Sequence, residues 1–343
     1  MQDPHHILLI RTDRIGDVVL TLPAIQKLKA KFPAAKVSFL VREYTLPLVQ
    51  GNNELSHTFT LEHLEGMGFG ERLSFLRSLS IDAAVLFYPT FPLALLLFLA
   101  GIKIRIGTGY RWYSNLFNRK VNAHRKFAEK HELEFNLDLL KPLGLQEQDI
   151  QKPHDYGLLQ LAERGESISF VKKDSHSKYV VVHPGSGGSA VDLPLKRMKE
   201  IVEEITKMED TKVLLTGNGN EIELCQHLKV NERVVNLAGH RELRELITII
   251  AQADLFIGNS TGPLHIAVAV GTPVIGFYPK VVSCSKERWG PYSDTAHVFT
   301  PKTECSNCTT EQCAQLNCMM SIDTDEVVQR VREVLEYSIK EKI

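Results

Sequence analysis

Two doubly wound α/β domains are predicted by three features of the chain. Short β-type runs alternate with amphipathic helical ones in both halves, a polar stretch separates the halves, and 343 residues exceed what one hydrophobic core usually fills. Such alternation argues for parallel sheets covered by helices, and ligands bind to these beyond the carboxyl ends of the strands.

In the first half, residues 6–10, 36–41, 82–87 and 103–107 read as strands, and 18–32 and 93–100 as helices. The most lipid-like stretch, 83–101, is interrupted by Pro89 and Pro92. A spanning helix needs about 20 apolar residues, so the stretch reads as a buried strand followed by a buried helix. The start MQDPHHILLI has no basic region ahead of a long apolar run, so no secretory signal is read and a cytoplasmic location is expected.

The second half repeats the pattern more cleanly. Residues 178–183, 212–217, 233–237, 255–258 and 273–277 read as strands, and 195–207, 221–229 and 243–253 as helices with apolar residues at three- and four-residue steps. Residues 146–177, with Pro153, Gly157 and Gly165, have linker composition and place the domain boundary near 170. Asp323 or Thr324 is suited to cap a last helix whose Val327, Val331, Val334, Leu335 and Ile339 share a face. The expected organisation is 1–170, 171–322 and a terminal helix, 323–343. No internal repeat is visible.

Lys and Arg number 40 against 41 Asp and Glu. No global field draws the chain to nucleic acid, so electrostatic recognition must be local. From 103 to 131, however, eight Lys or Arg face one acid, Glu129, with Tyr110, Trp112, Tyr113 and Phe117 interleaved. That surface suits a phosphate- or carboxylate-bearing partner at a membrane face, or is a solvated loop. Arg111, Arg119 and Lys120 within it, and Arg14 near the amino terminus, are candidates for contacting an anionic acceptor.

Three strand ends carry chemistry. In Arg11-Thr12-Asp13-Arg14-Ile15-Gly16-Asp17 a single glycine permits close approach, and Asp17 is either a helix cap or a functional carboxylate. His183-Pro184-Gly185-Ser186-Gly187-Gly188-Ser189 offers N–H groups and hydroxyls suited to a diphosphate, or is a flexible loop. Gly258-Asn259-Ser260-Thr261-Gly262-Pro263-Leu264-His265 turns from a strand into a helix whose amino end favours an anion, with His265 one turn in. Cys305, Cys308, Cys313 and Cys318 form a compact run that is either a structural zinc site or a reduced loop.

Taken together, RTDRIGDVVLTLPAIQKLKAKFP, HPGSGG and GNSTGPLHIAVAVGTPVIGFY resemble glycosyltransferase family 9, the ADP-heptose:lipopolysaccharide heptosyltransferases, over nearly the whole chain. The resemblance implies a GT-B fold of two facing Rossmann-like domains, with the acceptor on the first, the nucleotide sugar on the second, and a last helix crossing back to the first. It implies inverting transfer of heptose from ADP-heptose to a Kdo- or heptose-bearing lipopolysaccharide core, with no cofactor or catalytic metal. The partners it implies are an anionic glycolipid and peripheral contact with the cytoplasmic face of the inner membrane, not nucleic acid. It makes Asp17 the general base. Gly185, Ser186, Gly187, Glu221, Ser260, Thr261, Gly262, Pro263 and His265 become donor contacts. The chain departs from the family where a lysine closely followed by Trp-Pro is common and Val191-Asp192-Leu193-Pro194 stands, and where Ser260 replaces an aspartate. A glycosyltransferase of the same family with another nucleotide-sugar donor or surface-glycan acceptor, a nucleotide-sugar epimerase and a non-catalytic nucleotide-sugar-binding protein are the alternatives.

Overall fold

The computed structural model describes residues 3–146, 177–303 and 308–340. The expected boundary near 170 lies outside them, as does nearly all of the polar stretch. The chain forms two compact units, whose described parts are 3–125 with 130–146, and 126–129 with 177–303 and 308–340.

The first unit holds six parallel strands, β1 (His6–Ile10), β2 (Lys36–Val41), β3 (His57–Thr60), β4 (Ala83–Leu86), β5 (Ile104–Thr108) and β6 (Arg119–Val121), in the order β3-β2-β1-β4-β5-β6. The second holds β7 (Lys178–His183), β8 (Thr211–Leu215), β9 (Val234–Asn236), β10 (Leu255–Asn259), β11 (Val274–Phe277) and β12 (Ala296–Phe299), also all parallel, in the order β12-β11-β10-β7-β8-β9. Counted from its own first strand, each sheet has the same 3-2-1-4-5-6 winding seen in dinucleotide-binding sheets. The winding reverses between β1 and β4 and between β7 and β10, and such reversals open a crevice at the carboxyl ends of the strands.

The central strands are sequence-legible because they are buried on both faces and so read as unbroken apolar runs. β1 and β10 are buried along their whole length. Three strands lacked a sequence signal: β3, β6 and β12, all at sheet edges and reading HTFT, RKV and AHVF. One-sided pairing and partial exposure leave no alternation to detect in three or four residues.

The helix Leu195–Thr206 buries Met198, Ile201, Val202 and Ile205, one face at three- and four-residue steps. Each such side chain contributes about 1.5–3 kcal/mol when fully removed from water. Val327, Val331 and Leu335 of the terminal helix Thr324–Lys340 share that core. Asp323 caps this helix, its Oδ1 accepting the N–H groups of Asp325 at 3.0 Å and Glu326 at 3.4 Å.

Two sequence expectations need correction. The helix read over 18–32 is two, Ile15–Val19 and Pro23–Lys31. Pro23 has no N–H and its ring collides with a preceding turn, so it starts a helix rather than continuing one. The helix read as buried after β4, Phe91–Leu99, buries Leu93, Ala94, Leu96 and Leu97 but leaves Phe91, Phe98 and Leu99 exposed. No helix among the described residues is long and apolar enough to cross a membrane.

Candidate functional site

In the first unit the site is built around Arg11, the residue that follows β1 and is only 2% exposed. Its Nε donates to Asp13 Oδ1 at 2.7 Å, its Nη1 to Asn136 Oδ1 at 2.9 Å, and its Nη2 to Asp17 Oδ1. Glu132 Oε1 lies 3.7 Å from Nη2 and is also held by Arg125. Burial opposes the charge on Arg11, but the carboxylates of Asp17, Asp13 and Glu132 outweigh it and hold the guanidinium above its ordinary value. Asp13 carries the reverse balance. Burial pushes its carboxyl up to about 6 despite Arg11, and the neighbouring Asp17 adds to the rise.

Asp17 is not the helix cap. Arg14 occupies that position, and Asp17 stands in the first turn of Ile15–Val19 with its carboxylate turned to Arg11. The break after this helix is secured from a distance. Asn136 Nδ2 donates to Leu20 O at 3.1 Å and Thr21 Oγ1 at 3.2 Å, while Thr21 Oγ1 donates to Asp17 O at 2.8 Å. Tyr44 donates its hydroxyl proton to Asp13 O at 2.5 Å. Asp17 is therefore fixed through Arg11, Asn136 and Glu132. The sequence reading missed the last two, although Glu132 and Asn136 stand four apart on one face of the helix Glu132–Asp138.

In the second unit the motifs follow β7, β8 and β10, which are adjacent in the sheet. Asn259, fully buried at the end of β10, ties two of them together: its Oδ1 accepts Leu193 N–H at 2.8 Å and its Nδ2 donates to Pro184 O at 2.5 Å. Ser189 Oγ donates to Ser186 O at 2.7 Å and Ser260 O at 3.3 Å. Glu221 closes the third side. Its Oε2 accepts Asn218 N–H at 2.8 Å, and a Cβ on Gly185 would sit 2.0 Å from its Oε1. A side chain at position 185 would have to displace this carboxylate. Gly187 and Gly188 turn the loop with φ of 57° and 78°.

Gly262, Pro263 and His265 open the helix Gly262–Ala269, whose cap residue Thr261 makes no side-chain capping bond. Its first-turn N–H groups therefore offer positive potential to an anion. The Ser186 N–H, expected to meet a diphosphate, instead donates to Asp192 Oδ2 at 3.3 Å. Burial pushes the Asp192 carboxyl up, with Glu221 adding to the effect and the Ser186 hydrogen bonds opposing it. Arg197, just beyond this loop, is held by Glu200 at 2.9 Å and Met320 O at 3.2 Å. His183, at the end of β7, meets Thr216 Oγ1 at 2.9 Å and lies 4.0 Å from Glu221 Oε2.

The basic stretch is only partly a solvated surface. Arg14, Arg111, Arg119 and Lys120 are exposed, and Lys120 donates to Asn115 Oδ1 at 2.9 Å. Arg125 belongs instead to the Arg11 network, and Lys130 pairs with Asp138 at 2.9 Å. Of the cysteines, Cys305 lies outside the described residues, Cys313 is part of the second core, and Cys308 and Cys318 pack against it. Among the described residues no three His, Cys, Asp or Glu side chains gather to hold a metal.

Two outcomes are expected. If this loop holds a nucleotide diphosphate, Gly185→Ala, whose methyl group must displace the Glu221 carboxylate or the loop, should weaken affinity for ADP at least roughly tenfold in a titration. Unchanged affinity would remove this loop from donor binding. Burial holds the His183 imidazole down to about 4, against the pull of Glu221, from an ordinary 6.5. The fold keeps this ring neutral, so its contribution is complete above the unfolded value and is lost as pH falls from 6.5 toward 4. Urea unfolding at pH 7.5 and 4.5 should show a smaller acid loss in His183→Gln than in the parent.

Comparison with known proteins agrees with this fold. The family description "Glycosyltransferase family 9 (heptosyltransferase)" matches residues 74–319. A Haemophilus influenzae protein provisionally described as a glycosyltransferase is 30% identical over 299 residues, covering 84% of this chain and 86% of its own. Lipopolysaccharide heptosyltransferase 3 of Escherichia coli is 26% identical, covering 83% and 85%. The structure of E. coli ADP-heptose lipopolysaccharide heptosyltransferase II superposes with a TM-score of 0.79 at 20% identity, over 98% of this chain and 100% of that one, which shows a shared GT-B fold. With the family description spanning more than half of its length and both sheets wound alike, the chain belongs to glycosyltransferase family 9 and is a glycosyltransferase.

Proposed function

We propose that this glycosyltransferase moves heptose from ADP-heptose, with inversion, to a Kdo- or heptose-bearing lipopolysaccharide core, and that Asp17 is its general base. The observation that carries the reading is the Asp17 carboxylate at the carboxyl end of β1, oriented by a buried Arg11 and standing in the Gly-Asp pair that marks the family. The heptose donor is supported by relatives named as lipopolysaccharide heptosyltransferases 2 and 3.

The first unit is assigned the acceptor and the second the donor, with the boundary near 170. Asp17 takes the proton from an acceptor hydroxyl as that oxygen forms a bond to the anomeric carbon. The anomeric C–O bond to the diphosphate breaks on the opposite face and ADP leaves with the electron pair. Charge growing on the diphosphate is met by N–H groups around Gly187, Thr261 and Gly262 at an uncapped helix start, with His265 beside them. Glu221 contacts the nucleotide, with Ser186, Ser260 and Pro263 shaping the cradle. Arg14, Arg111, Arg119 and Lys120 meet anionic groups of a glycolipid acceptor at the cytoplasmic face of the inner membrane.

The test is incubation of the purified protein with ADP-heptose and other nucleotide sugars, with and without Kdo-lipid A, following nucleotide release and product mass. ADP release that needs both substrates is expected. Turnover with a different sugar replaces the donor assignment, and an epimerised donor formed without acceptor overturns transfer. Asp17→Asn should lower kcat by roughly 10²–10⁴-fold. Its donor Kd should stay within about twofold, because the donor cradle is untouched.

A further inference from the structure

The helix Phe91–Leu99, sequence FPLALLLFL, carries no charged residue on any face. A helix apolar all round normally belongs inside a protein or a membrane. Here only one side is covered. Phe91, Leu95, Phe98 and Leu99 fall at four- and three-residue steps on the other side, and Phe91, Phe98 and Leu99 are 37%, 46% and 38% exposed. Trp112 extends the patch: it is 78% exposed and its ring lies 4.8 Å from that of Phe91. These rings are held in place rather than splayed, since Tyr113 packs edge-on against both at 5.8 and 5.3 Å and anchors its hydroxyl on Pro89 O at 2.7 Å.

The charge along this stretch of the chain has one sign. From residue 83 to 128 the chain holds seven Lys or Arg and no Asp or Glu. The Arg105 guanidinium lies 5.2 Å from the centre of the Phe98 ring, Arg111 adjoins Trp112 in sequence, and Arg77 reaches across to donate to Leu99 O at 2.9 Å. Rigid aromatic and aliphatic side chains ringed by cations fit a lipid headgroup boundary, where rings enter the acyl region and guanidinium groups meet phosphates.

We propose that the outer face of the Phe91–Leu99 helix, together with Trp112 and its surrounding arginines, docks on an anionic lipid bilayer. The proposal gives the glycolipid-acceptor reading a surface and rests on that reading for its purpose. Its test needs neither donor nor acceptor, so failure of one does not decide the other.

The full chain is sedimented with vesicles of phosphatidylcholine, alone or with phosphatidylglycerol, at low and raised salt. Binding to the phosphatidylglycerol vesicles is expected, weakened by salt. Brominated lipid should quench the protein's tryptophan emission, and Trp112→Phe, which keeps Trp289, should lose that quenching. Combined Phe91→Ser, Phe98→Ser and Trp112→Ser should weaken binding at least tenfold. Because all three positions are at the surface, circular dichroism should show an unchanged fold. Arg111→Glu with Arg119→Glu should remove the preference for phosphatidylglycerol, about fivefold for each charge lost. No sedimentation with either vesicle, or binding that survives the triple substitution, overturns the proposal. So does a wild-type dimer that the triple substitution dissociates and that ignores vesicles, which would assign the patch to a second copy of the chain.

Discussion

A buried guanidinium cannot be left alone. Taking Arg11 out of water costs several kcal/mol unless its charge and donors are matched, and that requirement organises the first unit. Three carboxylates and one amide converge on it from the loop after β1, the Ile15–Val19 helix and the Glu132–Asp138 helix. Lysine could supply the charge but not the planar fork that reaches Asp13, Asn136 and Asp17 at once. The consequence for chemistry is orientation. Asp17, in a short helix that ends after one turn, is held at a strand end where substrates reach an open α/β sheet.

The second unit solves a different problem with the same winding. Its loops carry carboxylates at Glu221 and Asp192 and a neutral imidazole at His183, and among the described residues no lysine or arginine is seen paired with either carboxylate. Asn259 holds the loops together from within the core, and the anion-attracting element is the uncapped start of the Gly262–Ala269 helix. A diphosphate bound here would be met mainly by backbone dipoles and recognised by shape more than by charge, as a loop holding Gly185, Gly187 and Gly188 permits.

Much of this was legible in the sequence. Doubly buried strands appear as apolar runs, and Asp17, Gly185 and Gly262 appear as strand-end motifs with local spacing. What stayed hidden depends on distance along the chain. Arg11 and Asn136 are 125 residues apart, and nothing local to either indicates the other. Arg125 looked like one of a set of surface cations until its partner Glu132 was seen buried beside it. The edge strands β3, β6 and β12 left too short a pattern, and Pro23 was present in the sequence but read through because the apolar period continues across it. The exposed face of Phe91–Leu99 was hidden for the opposite reason: its composition alone signals burial.

The central claim is that Arg11 acts on transfer through Asp17. It is tested most directly by a double-mutant cycle on kcat with Arg11→Lys and Asp17→Asn, since lysine keeps the buried charge while losing the fork. If Arg11 orients the base, Arg11→Lys slows the parent enzyme but costs nothing further once Asp17 is asparagine, and the double variant matches Asp17→Asn. Losses that multiply, or Arg11→Lys at full activity, would contradict it and leave Arg11 as a structural ion partner only.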